Sequence, residues 1–314
     1  AFFILFFSAI SIFILDGKFK DNLYLGNKNL SLKKPHFKYS SLDEKYCFIY
    51  NDNKDYRIQE IFSRCTKQYN KNNAQTLFFL GDSYTHAFWL GGEFIAKETN
   101  SRIFTLSAPQ TPFPTNKYQK QKQKQEIYSK RSEIFNLLEK EIQLKIKNGD
   151  VVFINNYFGG YEDDFSKQEF FVGWLKSLED FVEFHSKNNV SVIIFMPTPI
   201  FSEVIDKRCR NFNPQWFNKF STENCSYSKS KEDFISENGW YRNTINKLIK
   251  LSSMYENFYV FDSLNIMCPN SECKYTSEGK SFYSDEHHLS NYSVRYLIAP
   301  KVINFLKEKR ILSF

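Results

Sequence analysis

The chain has 314 residues, of which 42% are hydrophobic, enough for one large domain with its own core. Its formal net charge is +7, but the basic residues are scattered along the chain. Even the densest run, KYQKQKQKQE at 117–126, reads as a solvated helix start, which argues against a nucleic-acid face.

The chain opens with AFFILFFSAISIFIL, residues 1–15, without a charge. That is shorter than the roughly 20 residues of a full span, and it lacks a basic segment before it and a small-x-small site after it. It reads as the end of a truncated transmembrane helix with more protein upstream. The alternative is a signal-peptide core whose start is missing. Lys18, Lys20 and Lys28 follow, and basic flanks favour the cytoplasm. The six cysteines argue for the other side. Cys47 and Cys65, Cys209 and Cys225, and Cys268 and Cys273 form three sequence-local couples, none with C-x-x-C spacing. Local disulfides are one of about 15 possible pairings, and six unpaired core thiols are the alternative. Large domains translocate largely regardless of flanking charge, so the cysteines decide, and the domain is expected in the periplasm or outside the cell.

Residues 16–70 are polar and irregular, and read as a tether that a Cys47–Cys65 bridge folds back on itself. The linker proper is 16–44 and the folded domain 45–314. From residue 75, short apolar runs alternate with amphipathic stretches. The runs are QTLFFL (75–80), RIFTL (102–106), DVVFIN (150–155), VSVIIFM (190–196) and NFYVFD (257–262). Helical patterns lie at 84–98, 126–148, 166–188, 236–254 and 290–309. Apolar strands separated by helices predict an α/β protein of three layers, with a five-stranded parallel sheet covered on both faces. The stretch 201–233, which carries Cys209, Pro214 and Cys225, reads as a surface insertion pinned by a disulfide.

Ligands of such sheets bind beyond the carboxyl ends of the strands. Gly81-Asp82-Ser83 stands at one of those ends. Gly81 permits a sharp turn, and Ser83 would open a helix whose free N–H groups can hold an oxyanion. A plain helix cap accounts for the tripeptide equally well. Of the histidines His36, His86, His185, His287 and His288, the last lies in SDEHHLS, three residues after Asp285. An Asp-x-x-His turn can set a carboxylate against one imidazole nitrogen and leave the other to take a serine proton. Alone it is equally a polar surface turn. Ser290 is placed to cap the last helix. Pro197-Thr198-Pro199 is expected to wall the cleft. Trp89, Trp174 and Trp240 could stack on sugar rings, but their helical spacing fits core residues better. Histidines and carboxylates are too sparse for a metal cluster, so none is expected.

FFLGDS and SDEHHLS together resemble the first and last blocks of the SGNH, or GDSL-like, hydrolase superfamily. More narrowly, the chain resembles the SGNH domain that follows the acyltransferase-3 membrane domain of bacterial polysaccharide O-acyltransferases, over about 45–314. Cys47…Cys65, CPNSEC and the apolar segment upstream are similar to that subfamily too. The resemblance implies a flavodoxin-like SGNH fold, with Ser83 as nucleophile, His288 as general base and Asp285 orienting it, and His287 as the adjacent alternative. It implies an oxyanion hole from the Ser83 N–H, a backbone N–H near Ser107 or Ala108, and an Asn155 or Asn156 side chain, Asn156 being favoured. The glycines of the superfamily's second and third blocks are missing from TLSAPQ (105–110) and INNYFGG (154–160). Tyr84 stands where the subfamily often has His, and His86, further along the helix, reads as structural or pocket-lining.

The expected activity is acyl transfer, most simply O-acetylation of a cell-surface polysaccharide or glycolipid through an acyl-serine. The expected partner is an upstream membrane acyltransferase domain delivering the acyl group from acetyl-CoA, with no cofactor in this domain. The expected location is the bacterial inner membrane, with the SGNH domain in the periplasm. A membrane-anchored esterase uses the same triad, and a non-catalytic glycan-binding module is the third reading.

Overall fold

The structure is a computed structural model and describes residues 44–49, 57–69, 75–116, 126–158, 165–201, 227–237, 239–277 and 280–312. The apolar segment 1–15, the linker up to residue 43, Cys209 and Cys225 lie outside these residues. No helix among the described residues is long and apolar enough to cross a membrane.

Two short helices come first, α1 (Glu44–Cys47) and α2 (Ile58–Cys65), joined by the Cys47–Cys65 disulfide. Strand β1 (Thr66–Gln68) follows, then β2 (Thr76–Gly81), α3 (Ser83–Glu98), β3 (Arg102–Ser107), α4 (Glu126–Lys145) and β4 (Val151–Asn155). Next come α5 (Phe165–Ser186), β5 (Ser191–Phe195), β6 (Ser228–Ser230), α6 (Lys231–Glu237), α7 (Gly239–Met254) and β7 (Phe258–Phe261). The chain ends through α8 (Ser263–Met267), β8 (Glu272–Lys274), a small hairpin at 276–281, a π-helical turn (Ser293–Ile298) and α9 (Ala299–Glu308).

The main sheet has six strands in the order β1-β3-β2-β4-β5-β7. The five apolar strands are parallel, as their continuous hydrophobic runs predict. The sixth corrects the sequence expectation: β1 pairs antiparallel with β3, Thr66 opposite Phe104. Its three polar residues carry no apolar alternation, so backbone pairing to β3 alone makes it a strand.

Strand order reverses at β2. The chain goes from β2 to β3 on one side, then crosses to β4 on the other. Right-handed crossovers therefore put α3 on one face and α4, α5 and α7 on the opposite face. The last helix packs beside α3: a Cβ on Gly91 would lie 3.0 Å from the Val294 carbonyl. Under this layer runs a row of rings, one from each successive strand. Phe79, Phe153, Phe195 and Phe261 stand at centroid spacings of 4.5, 6.1 and 5.1 Å, capped by Phe88 of α3 and Phe305 of α9. Each such pair adds about 1 kcal/mol beyond its area burial, so the row ties four strands together directly under α3. On the far face, Phe113 packs edge-on against Phe135 of α4 and Phe181 of α5.

His185 in the last turn of α5 is 1% exposed, and neither ring nitrogen has a hydrogen-bond partner among the described residues. Burial pushes its pKa down to about 4. The folded protein therefore holds it neutral, whereas the unfolded chain protonates it near pH 6.5. Its contribution is intact above pH 6.5 and is lost as pH falls toward 4. Replacing it with Phe (His185→Phe) removes this dependence. In urea melts the variant should gain roughly 3 kcal/mol over wild type between pH 7 and pH 4. Parallel stability curves for the two proteins would count against this account.

Candidate active site

Strand β2 ends at the reversal point of the strand order, where open α/β sheets form their crevice. Gly81 closes the strand at φ +154°, and a Cβ there would lie 2.2 Å from the Asn155 carbonyl oxygen and 2.5 Å from Thr85 Oγ1. Only a glycine lets the ends of β2 and β4 press together. The Thr85 hydroxyl then donates to the Asn155 carbonyl at 2.8 Å, and the Asn155 amide donates to the Tyr84 carbonyl at 3.2 Å. These two bonds sew the first turn of α3 to the tip of β4.

Asp82 is the N-cap of α3, accepting the Tyr84 N–H at 2.8 Å on one oxygen. Its other oxygen accepts the Tyr157 N–H at 2.6 Å. Ser83 follows as the first helical residue. Its own N–H carries no hydrogen bond among the described residues and stands at the positive end of the helix dipole.

The turn before the last helix supplies the other half of the site. Asp285 Oδ1 accepts the His287 and His288 N–H groups at 3.0 and 2.7 Å, which fixes the turn. Asp285 Oδ2 lies 2.7 Å from His288 Nδ1, and His288 Nε2 lies 2.8 Å from Ser83 Oγ. Burial alone would raise the Asp285 pKa. The His288 imidazole and the two N–H donors outweigh it and hold the carboxyl well below the usual range. The turn is braced below: the Phe201 N–H donates to the Glu286 carbonyl at 2.9 Å, and Tyr275 and Tyr283 stack with centroids 5.4 Å apart. The Cys268–Cys273 disulfide closes the loop just before it. Ser290 Oγ accepts the Ser293 N–H at 3.3 Å at the start of the final helix, as a cap would.

Ser83, His288 and Asp285 thus form one hydrogen-bonded row. A hydroxyl bonded to an imidazole whose far nitrogen faces a fixed carboxylate is an arrangement able to yield an alkoxide nucleophile. His287 lies beside the row rather than in it. Its ring is 4.1 Å from that of His288, and burial, then His288, lowers its pKa. Tyr84, Tyr157 and His287 surround the row with their rings.

The expected oxyanion residues fare differently. Asn156 is 1% exposed; its Oδ1 accepts the Phe113 N–H at 3.2 Å and its Nδ2 donates to the Phe113 carbonyl at 2.7 Å. This corrects the sequence expectation: the side chain is committed to the loop after β3 and is not presented beside Ser83. Ser107 is fully buried, registered against Gly81, so it is not presented either. The Ala108 N–H donates to the Gly81 carbonyl at 3.2 Å, and Pro109 has no N–H. The Ser83 N–H remains, and the half-buried Asn155 keeps one amide N–H beyond its bond to the Tyr84 carbonyl.

His86 is a packing residue, stacked on Phe48 at 4.2 Å and edge-on to Trp89 at 4.6 Å, and burial pushes its pKa down to about 4. Trp89 and Trp174 are core residues, 4% and 1% exposed; the Trp240 side chain lies outside what is described. Pro197-Thr198-Pro199 is buried, its Pro197 carbonyl accepting the Tyr241 hydroxyl at 3.1 Å. Asp285, His287 and His288 offer ligand atoms within 4.8 Å of one another. A cation there would have to displace the hydrogen bonds that build the row.

Residues 47–300 match the family described as the SGNH domain fused to AT3 domains. The chain belongs to this family. It is therefore one of a group of acyltransferases and hydrolases that act on acyl esters. Among solved structures, the SGNH domain is similar to the periplasmic domain of a lipopolysaccharide acetyltransferase from Salmonella ser. Paratyphi A. The TM-score is 0.51 at 15% identity, covering 85% of this chain and 92% of that one. It is also similar to a candidate acylhydrolase from Bacteroides fragilis, with TM-score 0.41 at 15% identity, covering 82% of this chain and 98% of that one. No curated protein matches the sequence.

Two substitutions test the construction of the site. Gly81→Ala should cost about 3 kcal/mol or more, because the new Cβ meets backbone, and should remove any Ser83-dependent activity. Asn156→Ala should lower stability by about 2 kcal/mol through the two lost Phe113 bonds. Loss of rate in that variant at unchanged thermal midpoint would restore Asn156 to the oxyanion hole.

Proposed function

We propose that this chain is an extracytoplasmic serine O-acyltransferase that acylates a cell-surface polysaccharide or glycolipid, most simply with acetyl. The observation that carries the reading is the row Ser83–His288–Asp285, closed at 2.8 and 2.7 Å. His288 removes the Ser83 proton as Oγ attacks the acyl carbonyl. The tetrahedral oxyanion is held by the Ser83 N–H at the helix N-terminus, with the Asn155 amide as the nearby side-chain donor. Each such donor is worth roughly 3 kcal/mol. The donor's leaving group departs with the proton from His288, leaving an acyl-serine. A sugar hydroxyl then gives its proton to His288 and attacks the ester, regenerating Ser83. Asp285 stays ionised throughout and steadies the imidazolium.

The domain is read as 45–314, tethered through 16–44 to the end of a membrane helix at 1–15. Membership in a family fused to AT3 domains supports an upstream membrane partner that delivers the acyl group, with acetyl-CoA as its cytoplasmic source and no cofactor in this domain. The name of the Salmonella neighbour supports a periplasmic setting and a glycan acceptor.

The test is release of 4-nitrophenol from 4-nitrophenyl acetate by the chain and by Ser83→Ala, with and without candidate glycans. Both Ser83→Ala and His288→Ala should lower the rate on the order of 1,000-fold or more. A burst that turns over only with glycan, leaving acetyl on the sugar, is the expected result. Steady turnover in water without glycan would make the chain an esterase. No Ser83-dependent release would leave a glycan-binding module.

A further inference from the structure

We propose that Asp82 is a second carboxylate of the catalytic apparatus, a positioning residue that acts on Ser83 through the backbone and on His288 through its charge. The inference rests on the acyl-serine reading above and adds a group that the triad does not include.

Asp82 is 1% exposed, yet both its oxygens are engaged by backbone N–H groups from different elements. One bond, 2.8 Å to Tyr84, sets the first turn of α3; the other, 2.6 Å to Tyr157, holds the chain leaving β4. The residue between these anchors is Ser83, whose Oγ and N–H must both be aimed. An ordinary helix cap needs only the first bond. The second spans 75 positions of sequence and ties the end of β2 to the chain leaving β4.

The groups facing Asp82 decide what its charge does. From the turn, His288 is the group that acts on Asp82 electrostatically. From α3, the Tyr84 phenol is held neutral by burial. From the β4 exit, Tyr157 contributes its N–H. Asp285 sits on His288 Nδ1, the nitrogen away from Ser83. The imidazolium that forms during the reaction is thus attended by two carboxylates. Asp285 keeps its charge at any working pH, because its carboxyl is held well below the usual range. Asp82 does not: burial pushes its pKa up to about 7, against the pull of its N–H donors and of His288. Below that pH it takes a proton, gives up one backbone N–H and no longer supports the charge on His288.

The experiment is the pH dependence of kcat/KM for 4-nitrophenyl acetate, for the 314-residue chain and for Asp82→Asn. Wild type should fall on its acid side with two protons, one of them entering Asp82. Asp82→Asn should be slower by roughly tenfold to a hundredfold at pH 8, its acid limb should follow a single proton, and the limb should move to lower pH. A variant that is slower but keeps the wild-type slope and midpoint would reduce Asp82 to a helix cap and overturn the proposal. If Asp82→Asn does not fold, the wild-type profile decides: a single-proton acid limb overturns the proposal and a two-proton limb supports it. Ser83→Ala in the same assay keeps the two readings apart. Full activity there removes the acyl-serine itself, whereas a single-proton limb with Ser83 essential removes only the part given to Asp82.

Discussion

A side chain at position 81 would put its first carbon 2.2 Å from the Asn155 carbonyl oxygen, and this missing atom is the constraint on which the site is built. With β2 and β4 pressed together, the Thr85 hydroxyl, the Asn155 amide and the Asp82 carboxylate each bridge from the start of α3 to the end of β4. Ser83 is held from both sides before any ligand arrives. The row of phenylalanines under α3 then keeps the helix from rocking on the sheet. Packing of large rings is unforgiving of shifts, so a hydroxyl on such a helix inherits the rigidity of the core.

Two carboxylates act on one imidazole, Asp285 by a hydrogen bond and Asp82 by its charge alone, and their surroundings drive them in opposite directions. Asp285 lies in a turn with N–H donors and a histidine, which outweigh its partial burial. Asp82 is enclosed, and burial outweighs its donors. The same side chain in two environments gives one permanent charge and one that depends on solution pH. This separation, rather than the identity of the residues, is what allows one group to orient a base while the other conditions it.

Much of this was legible in the sequence. The five parallel strands announced themselves as apolar runs, and the structure places them within a residue or so of the predicted bounds. Ser83, Asp285 and His288 stood out because their motifs occupy the end of the first parallel strand and the approach to the last helix. What was not legible came from contacts remote in sequence. Strand β1 is Thr-Lys-Gln, polar throughout, and exists by pairing with β3. Helix α2 lay in what read as an irregular tether, although Ile58, Ile61, Phe62 and Cys65 carry the spacing of one helical face and could have shown it. Asn156 and Asn155 are adjacent and chemically identical. Only the fold, which brings Phe113 to one and Tyr84 to the other, assigns them different work.

Ser83 and His288 meet across 205 positions of sequence. Four of the five parallel strands, β3, β4, β5 and β7, lie in the chain between these two residues. A nascent or half-folded chain therefore carries a harmless serine and a harmless histidine, and the hydrogen-bonded row appears only with the finished fold. For a member of a family that acts on acyl esters, completeness of folding serves as its own safety catch.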